Sequence, residues 1–189
     1  MSYHIHTTEG IILRRVALET DAMYVILTFD FGIVYAKAVG IRKINSKLRF
    51  SLQQYFLSSV SFIKSRKGFK ITSASFIQNL FDNSSKIRKN ALFNICKVLE
   101  KFILSEEKHE EIYISAKEGL LLLNRVGDDD VKTVEALTLF SILYHLGYID
   151  SSLFDIRFLK PQYDILNDAK VKLSEIIEAV NKGLSLSNL

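Results

Sequence analysis

The stretch "MYVILTFDFGIVYAKAVGI", residues 23–41, decides the fold. Its first eight residues alternate Met23, Val25, Leu27 and Phe29 with Tyr24, Ile26, Thr28 and Asp30. That period of two sends alternate side chains to opposite faces of a strand and places one set on a buried face. "FG" then turns the chain, and "IVYAKAVGI" reads as another strand. Upstream, "GIILR" is β-branched and apolar; downstream, "LQQYFLSSVSFIK" and "FKITSASFIQ" read as two further strands joined by "SRKG", whose Gly68 suits a tight hairpin turn. Five strands within residues 1–80 predict a small barrel or sandwich, and five antiparallel strands in a compact barrel match the description of an OB-fold.

The period changes in the second half. From Ser84 onward Ala91, Ile95, Val98, Leu99, Phe102 and Ile103 recur at helical spacing, as do Ile112, Ala116, Leu120 and Leu123 in the next segment. Val131 to Leu146 is apolar on nearly every side, which implies a helix surrounded by others, and Gly147 follows as its C-cap. "DIRFLKPQYDILND", with the only proline, Pro161, reads as a linker or irregular segment before a last amphipathic helix marked by Ala169, Leu173, Ile176, Ile177 and Val180. The expectation is an α+β chain of two domains: a five-stranded OB-fold barrel over residues 1–80, then an all-helical domain over residues 81–189. Neither an internal repeat nor a low-complexity tract is present.

At 189 residues, about half of them apolar, the chain can bury one good core or two small ones. No apolar run approaches the roughly 18 residues of a membrane span, and "MSYHIHTTEG" lacks the charged and apolar regions of an export signal. A soluble, unexported, cytoplasmic protein with no membrane partner is expected. The single cysteine, Cys96, excludes an internal disulfide and leaves a structural zinc without its usual thiolates. Charge is unevenly divided: residues 1–80 hold 11 Lys/Arg against 4 Asp/Glu, a net of +7, whereas residues 81–189 hold 14 against 17, a net of −3. The basic half is the one suited to a polyanion.

Its densest part is "GIRKINSKLRF", Gly40–Phe50, with Arg42, Lys43, Lys47 and Arg49 and no acid. The strip falls between the third and fourth strands, so a loop or short helix is expected there. Arg14, Arg15 and Lys37 join it from one side, and Lys64, Arg66, Lys67 and Lys70 from the hairpin. Single-stranded nucleic acid needs a basic groove to follow its phosphates and planar side chains on which bases stack. Phe50, Tyr55 and Phe69 are interleaved with these charges and are the candidate platforms. Any one lysine here is better read as a solubilising or edge-protecting residue, and any one aromatic as core. As a set the cations favour binding, because residues 31–80 contain no acid to balance them.

The remaining candidates read as structural. Glu19 and Asp21 form a close acidic pair, but with no histidine nearby in sequence they read as a turn leading into a strand rather than as acid–base partners. His4 and His6 share a strand face, a spacing compatible with a metal, yet no further ligand lies near them and the terminus is expected to fray. His109 and His145 are isolated. "GDDD", Gly127–Asp130, precedes an apolar helix, where aspartates cap free N–H groups and suit the positive end of the dipole. Cys96 reads as a small buried hydrophobe. No Walker loop, dinucleotide fingerprint, nucleophile elbow or zincin helix occurs. No enzyme is expected, hence no catalytic residue, metal, cofactor or small-molecule substrate.

Three stretches, "TEGIILRRVALETDAMYVILTFDFG", "AKAVGIRKINSKLRFSLQQYFL" and "GFKITSASFIQ", resemble in order and spacing the N-terminal domain of RecO, a family of bacterial recombination mediators in DNA repair. "LTLFSILYHLGYIDSSL" is similar to the helix before that family's zinc-binding segment, so the resemblance covers most of residues 8–155. It implies an OB-fold followed by a helical domain, binding of single- and double-stranded DNA, and annealing of strands coated by single-strand-binding protein (SSB). It further implies RecR as a partner in loading RecA, and a nucleoid-associated place in the cytoplasm. Lys37, Arg42, Lys43, Lys47 and Arg49 fall where the family presents its DNA-contacting surface. Three departures are visible. The four zinc cysteines are absent from "IDSSLFDIRFLKPQYD", the C-terminal region reads as abbreviated, and Leu18 stands where a glycine is common before "ETD". An alternative reading is a non-enzymatic adaptor whose barrel binds the acidic tail of SSB. A third, enzymatic reading requires His4, His6, Glu19 and Asp21 to converge on a metal.

Overall fold

In the computed structural model, which describes residues 4–65, 68–80, 85–103, 107–150 and 154–186, the alternating stretch becomes a hairpin of two strands. These are β2 (Ala22–Thr28) and β3 (Gly32–Ala38). The other strands are β1 (Ile5–Ala17), β4 (Phe56–Ser65) and β5 (Gly68–Asn79), with a one-turn helix α1 (Leu48–Ser51) between β3 and β4. They follow the order β1-β2-β3-β5-β4 and close into a barrel as β4 returns to β1.

Closure depends on β1 serving two partners. Its first half pairs with β4, from Ile5↔Ile63 to Ile11↔Leu57, and its second half pairs with β2, from Gly10↔Thr28 to Ala17↔Ala22. The strand must bend where the two overlap. A β-bulge between Ile12 and Arg14 bends it, and Gly10 lets it lie close to β2, since a Cβ there would sit 2.6 Å from Ile26 Cγ2. The all-antiparallel expectation is corrected at one seam: β3 pairs with β5 in parallel, through Ala36↔Phe69 and Lys37↔Lys70. β3 and β5 are separated in sequence by α1 and β4, so the chain has crossed the barrel before they meet.

Inward-facing Tyr24, Ile26, Val34, Ala36, Phe62 and Phe69 fill the barrel, with Ile41 and Leu52 added from the β3–β4 connection. Phe62 packs edge-on against Phe69 and Phe31, with ring centroids 5.0 and 5.4 Å apart. β2 is buried on both faces, because Val25 and Leu27 are as enclosed as Tyr24 and Ile26. The fourth strand starts later than its sequence reads, at Phe56; Gln54 and Tyr55 form a turn. The expected fraying at "HIH" does not extend to His6, whose ring packs 5.3 Å from that of Phe31 in a strand hydrogen-bonded to β4.

The chain divides into two compact units, residues 1–80 with 103–110 and residues 81–102 with 111–189. The second is helical: α2 (Lys86–Phe102), α3 (Glu110–Leu123), α4 (Asp128–His145), α5 (Leu166–Val171) and α6 (Leu173–Leu186). α4 is its centre, packed by α2 and α6 and buried from Val131 to Leu143 except at a few positions. Each fully buried Leu, Ile or Phe there contributes roughly 1.5–3 kcal/mol. Gly119 of α3 admits the Thr138 side chain, which a Cβ would strike. Gly147, at φ +80°, ends α4 with two bonds, Gly147 N–H to Tyr144 O at 2.8 Å and Tyr148 N–H to Leu143 O at 2.9 Å.

Two expectations are corrected here. Of the two readings of "DIRFLKPQYDILND", the irregular segment holds and the linker does not: it forms 3-10 turns at Ile156–Leu159 and Tyr163–Ile165 with Phe158, Leu159 and Ile165 buried, and the last helix is broken at Lys172 into α5 and α6. The aspartates of "GDDD" lie in the first turn of α4, but Gly127 is the N-cap and no side chain caps it. Asp128 instead meets Arg88, and Asp130 meets Lys170. Among the described residues no helix is long and apolar enough to cross a membrane.

Candidate nucleic-acid interface

β-Strand register decides which cations share a face. Opposed residues in paired strands point the same way, and β2 and β3 turn Tyr24 and Ala36 into the core. Their neighbours Val25, Tyr35 and Lys37 therefore face outward. Arg14, opposite Val25, joins them, and Lys70, beside Lys37 across the parallel seam, extends the row. Arg15 lies opposite Tyr24, on the other side of β1 from Arg14. Burial raises the Tyr24 phenol above its ordinary value, and the Arg15 charge opposes that rise. Arg14 and Arg15, adjacent in sequence, thus serve different surfaces.

The strip Gly40–Phe50 leaves the end of β3 through Gly40, at φ +65°, a conformation that glycine adopts without steric cost. Arg42 then turns back on the β1–β2 loop. Its Nη1 donates to Leu18 O at 2.8 Å and Glu19 O at 3.0 Å, and its backbone N–H donates to Thr20 O at 3.1 Å. Asp21 grips from the other side: Oδ1 accepts the Gly40 N–H at 2.8 Å, and Oδ2 lies 2.8 Å from Lys37 Nζ. The Gly40 N–H first, then Lys37, lower the Asp21 carboxyl from an ordinary 3.8 to about 2. Arg42 and Asp21 together hold the strip against the β1–β2 loop.

Beyond this clip the strip carries open charge. Lys43, Lys47 and Arg49 are exposed, as is Lys70 on β5. Among the described residues none of these four meets a carboxylate, and residues 31–80 contain none. Phe50 is 65% exposed, with the Arg49 guanidinium 5.5 Å from its ring centroid, so a flat face is presented beside a cation.

The other proposed platforms differ. Phe69 is corrected: at 6% exposure its ring is part of the barrel core, covered by Phe62 inside and by the Lys64 ammonium at 5.0 Å. Tyr55 is half-buried at φ +67°, and its backbone is committed, donating to Ile12 O at 2.7 Å and accepting from Leu80 N–H at 3.0 Å. Arg66 and Lys67 lie outside the described residues. The structure adds two groups that the sequence reading missed. Tyr35 is 46% exposed on the outer row between Arg14 and Lys37, and Ile44 is 89% exposed in the strip. Tyr35 was signalled by its spacing: Ile33, Tyr35 and Lys37 alternate with the small inward Val34, Ala36 and Ala38.

Among the described residues no three His, Cys, Asp or Glu side chains gather to hold a metal. His6 is packed between aromatic rings, while Asp21 holds the strip. Cys96 is buried, which pushes its thiol well above the ordinary range.

No family model matches the chain. It is similar to the DNA repair protein RecO of Caldicellulosiruptor bescii, 25% identical over 144 residues, covering 75% of this chain and 58% of that one. The DNA repair protein RecO of a Nostoc species is 28% identical over 158 residues, 82% of this chain and 51% of the other. That of Dehalococcoides mccartyi is 28% identical over 112 residues, 58% and 44%. The chain thus spans about half the length of the curated relatives it matches. The RecO resemblance read from the sequence is borne out.

Proposed function

We propose that this chain binds DNA as a recombination mediator in DNA repair, with its barrel acting as an OB-fold on single strands. The carrying observation is the acid-free stretch 31–80 and the exposed cations in it, Lys43, Lys47, Arg49 and Lys70, together with the exposed rings of Phe50 and Tyr35. OB-folds bind oligonucleotides over strands 2 and 3 and the loops flanking them, and here that region carries Tyr35, Lys37 and the clipped β1–β2 loop. Phosphates follow the cations, bases stack on the rings, and annealing of two strands, single or returning to duplex, follows from screening one polyanion against another. Residues 1–80 are the DNA-binding domain and residues 81–189 carry protein contacts, to RecR for loading RecA and to SSB. Binding of this kind makes and breaks no covalent bond, and it belongs to the nucleoid-associated cytoplasm.

The experiment is fluorescence anisotropy with labelled single-stranded DNA across a salt series, comparing the native chain with one carrying Glu at residues 43, 47, 49 and 70. Arg42 is left in place because it holds the β1–β2 loop. Losing four phosphate contacts lowers the log–log salt slope by about 2.8. Equal, weak binding by both chains would falsify the reading.

A second reading, docking of the acidic SSB tail, is favoured by a groove of about 570 Å³ on the helical unit. Val98, Phe102, Leu139 and Ile177 line it, and Lys97, Lys101 and Lys132 surround it. In this reading that partner sits on the helices rather than on the barrel. A complex with an SSB-tail peptide, but none with DNA, would put this reading first.

A further inference from the structure

Among the described residues, Asp21 reaches into the cationic surface of the barrel, and the cation it reaches is Lys37. Oδ2 holds the Lys37 ammonium at 2.8 Å while Oδ1 accepts from the Gly40 N–H at 2.8 Å and from the Thr20 hydroxyl at 3.2 Å. The carboxylate thus does two separable jobs: a hydrogen-bond acceptor would hold Gly40 as well without a charge, whereas only a charge neutralises Lys37. Lys37 itself stands on the outer row between Tyr35 and Lys70, where a phosphate following that row meets it. It is about half exposed, so a phosphate can reach it without moving the barrel. We propose that Asp21 is a built-in competitor of the DNA phosphate for Lys37, an internal anion that holds this cation until a polyanion displaces it. This rests on the DNA-binding reading above.

The physical consequence is a threshold on binding. Phosphate must replace an existing ion pair at Lys37, so this contact returns less free energy than those at Lys43, Lys47 or Arg49, which meet no carboxylate among the described residues. A weak, single-contact anion gains nothing from Lys37, while a strand already held by its neighbours can displace Asp21. Arg42 keeps the β1–β2 loop in place during that exchange, because its bonds run to Leu18 O and Glu19 O rather than to the Asp21 carboxylate.

The test is a double-mutant cycle on the full chain with Asp21→Asn, Lys37→Met and the pair, using labelled oligothymidylate in the same salt series. Asp21→Asn retains an oxygen for the Gly40 N–H and removes the charge. The expected result is binding about two- to fivefold tighter, the range of an exposed ion pair, with the salt slope steeper by about 0.7 as one more phosphate contact counts in full. Lys37→Met then costs more in the Asp21→Asn background than in the native one, a non-additivity that a general field effect of Asp21 would not produce. An additive cycle overturns the proposal, since Asp21 then acts only through overall charge. Because Asp21→Asn also alters the loop, a second measurement uses no substitution: NMR of the Lys37 ammonium in the native chain. A resonance that moves when oligothymidylate is added supports the exchange, and one that stays while DNA binds overturns it. Failure of the native chain to bind oligothymidylate at all would instead remove the DNA-binding reading on which the proposal stands.

Discussion

Several cations of the helical unit meet carboxylates, whereas the barrel leaves most of its strip open. In the former Arg88 meets Asp128, Lys170 meets Asp130, Arg157 lies between Asp155 and Asp168, and Lys172 meets Glu175. On the barrel Lys37 has Asp21, yet Lys43, Lys47, Arg49 and Lys70 meet no carboxylate among the described residues. Exposed ion pairs add little stability, about 0–1 kcal/mol each. The difference therefore bears on the field at the surface more than on stability. A surface that neutralises itself has little left for a polyanion; one that does not keeps a field that a polyanion can enter.

The sharpest way to break this comparison is to reverse the barrel's open charges. Glutamate at residues 43, 47, 49 and 70 should abolish most DNA affinity at moderate salt yet shift unfolding free energy by only about 0.5 kcal/mol per site or less. A collapse of the thermal transition in that variant would show the cations to be structural and the contrast false.

Next come two buried residues that bear on stability. Arg88 is buried and donates to the carbonyl oxygens of Leu123 and Val126, the latter at 2.9 Å, as well as to Asp128 at 3.1 Å. Replacing it with Met leaves those two carbonyl oxygens without that donor and should cost about 1–3 kcal/mol for each in urea unfolding. Lysine should not rescue it, because one ammonium cannot reproduce the guanidinium fork. Phe69→Ala, which empties part of the barrel core, should cost about 3–5 kcal/mol. A mild effect of either on denaturation would mean that the site relaxes more than its packing implies.

Phe50→Ala is the smaller counterpart on the same barrel. It should weaken single-strand binding by about 1–3 kcal/mol for each base stacked there, leaving the salt slope and the melting temperature close to native. A changed slope would point instead to lost positioning of Arg49, whose guanidinium lies over that ring.

The smallest effect is on acid stability. Asp21 has its carboxyl lowered from 3.8 to about 2, so its ion pair and hydrogen bond stabilise the fold fully above the unfolded value. That stabilisation is lost as pH falls through the window between them. Acid unfolding of the Asp21→Asn variant followed by circular dichroism should lack this component below about pH 4. Superimposable native and variant curves would show that the clip contributes nothing to stability.

Residues 23–41 made the hairpin of β2 and β3 legible without coordinates, because a period of two has no helical equivalent. The helical period did the same for α2 and α3, apolar residues on nearly every side did so for α4, and the absence of acids from residues 31–80 marked the basic strip. These are properties of local order along the chain. Contacts between segments distant in sequence left no such mark. The parallel seam of β3 with β5, the burial of Phe69 beside an exposed Phe50, and Arg88 serving three acceptors from α2 all depend on which segments meet in space. Tyr35 and Lys37 share a face for a reason visible in the sequence, their spacing of two. That Lys37 is held by Asp21 while Lys70 beside it is not became visible only once the barrel had closed, since a carboxylate and an ammonium choose each other by distance and not by order.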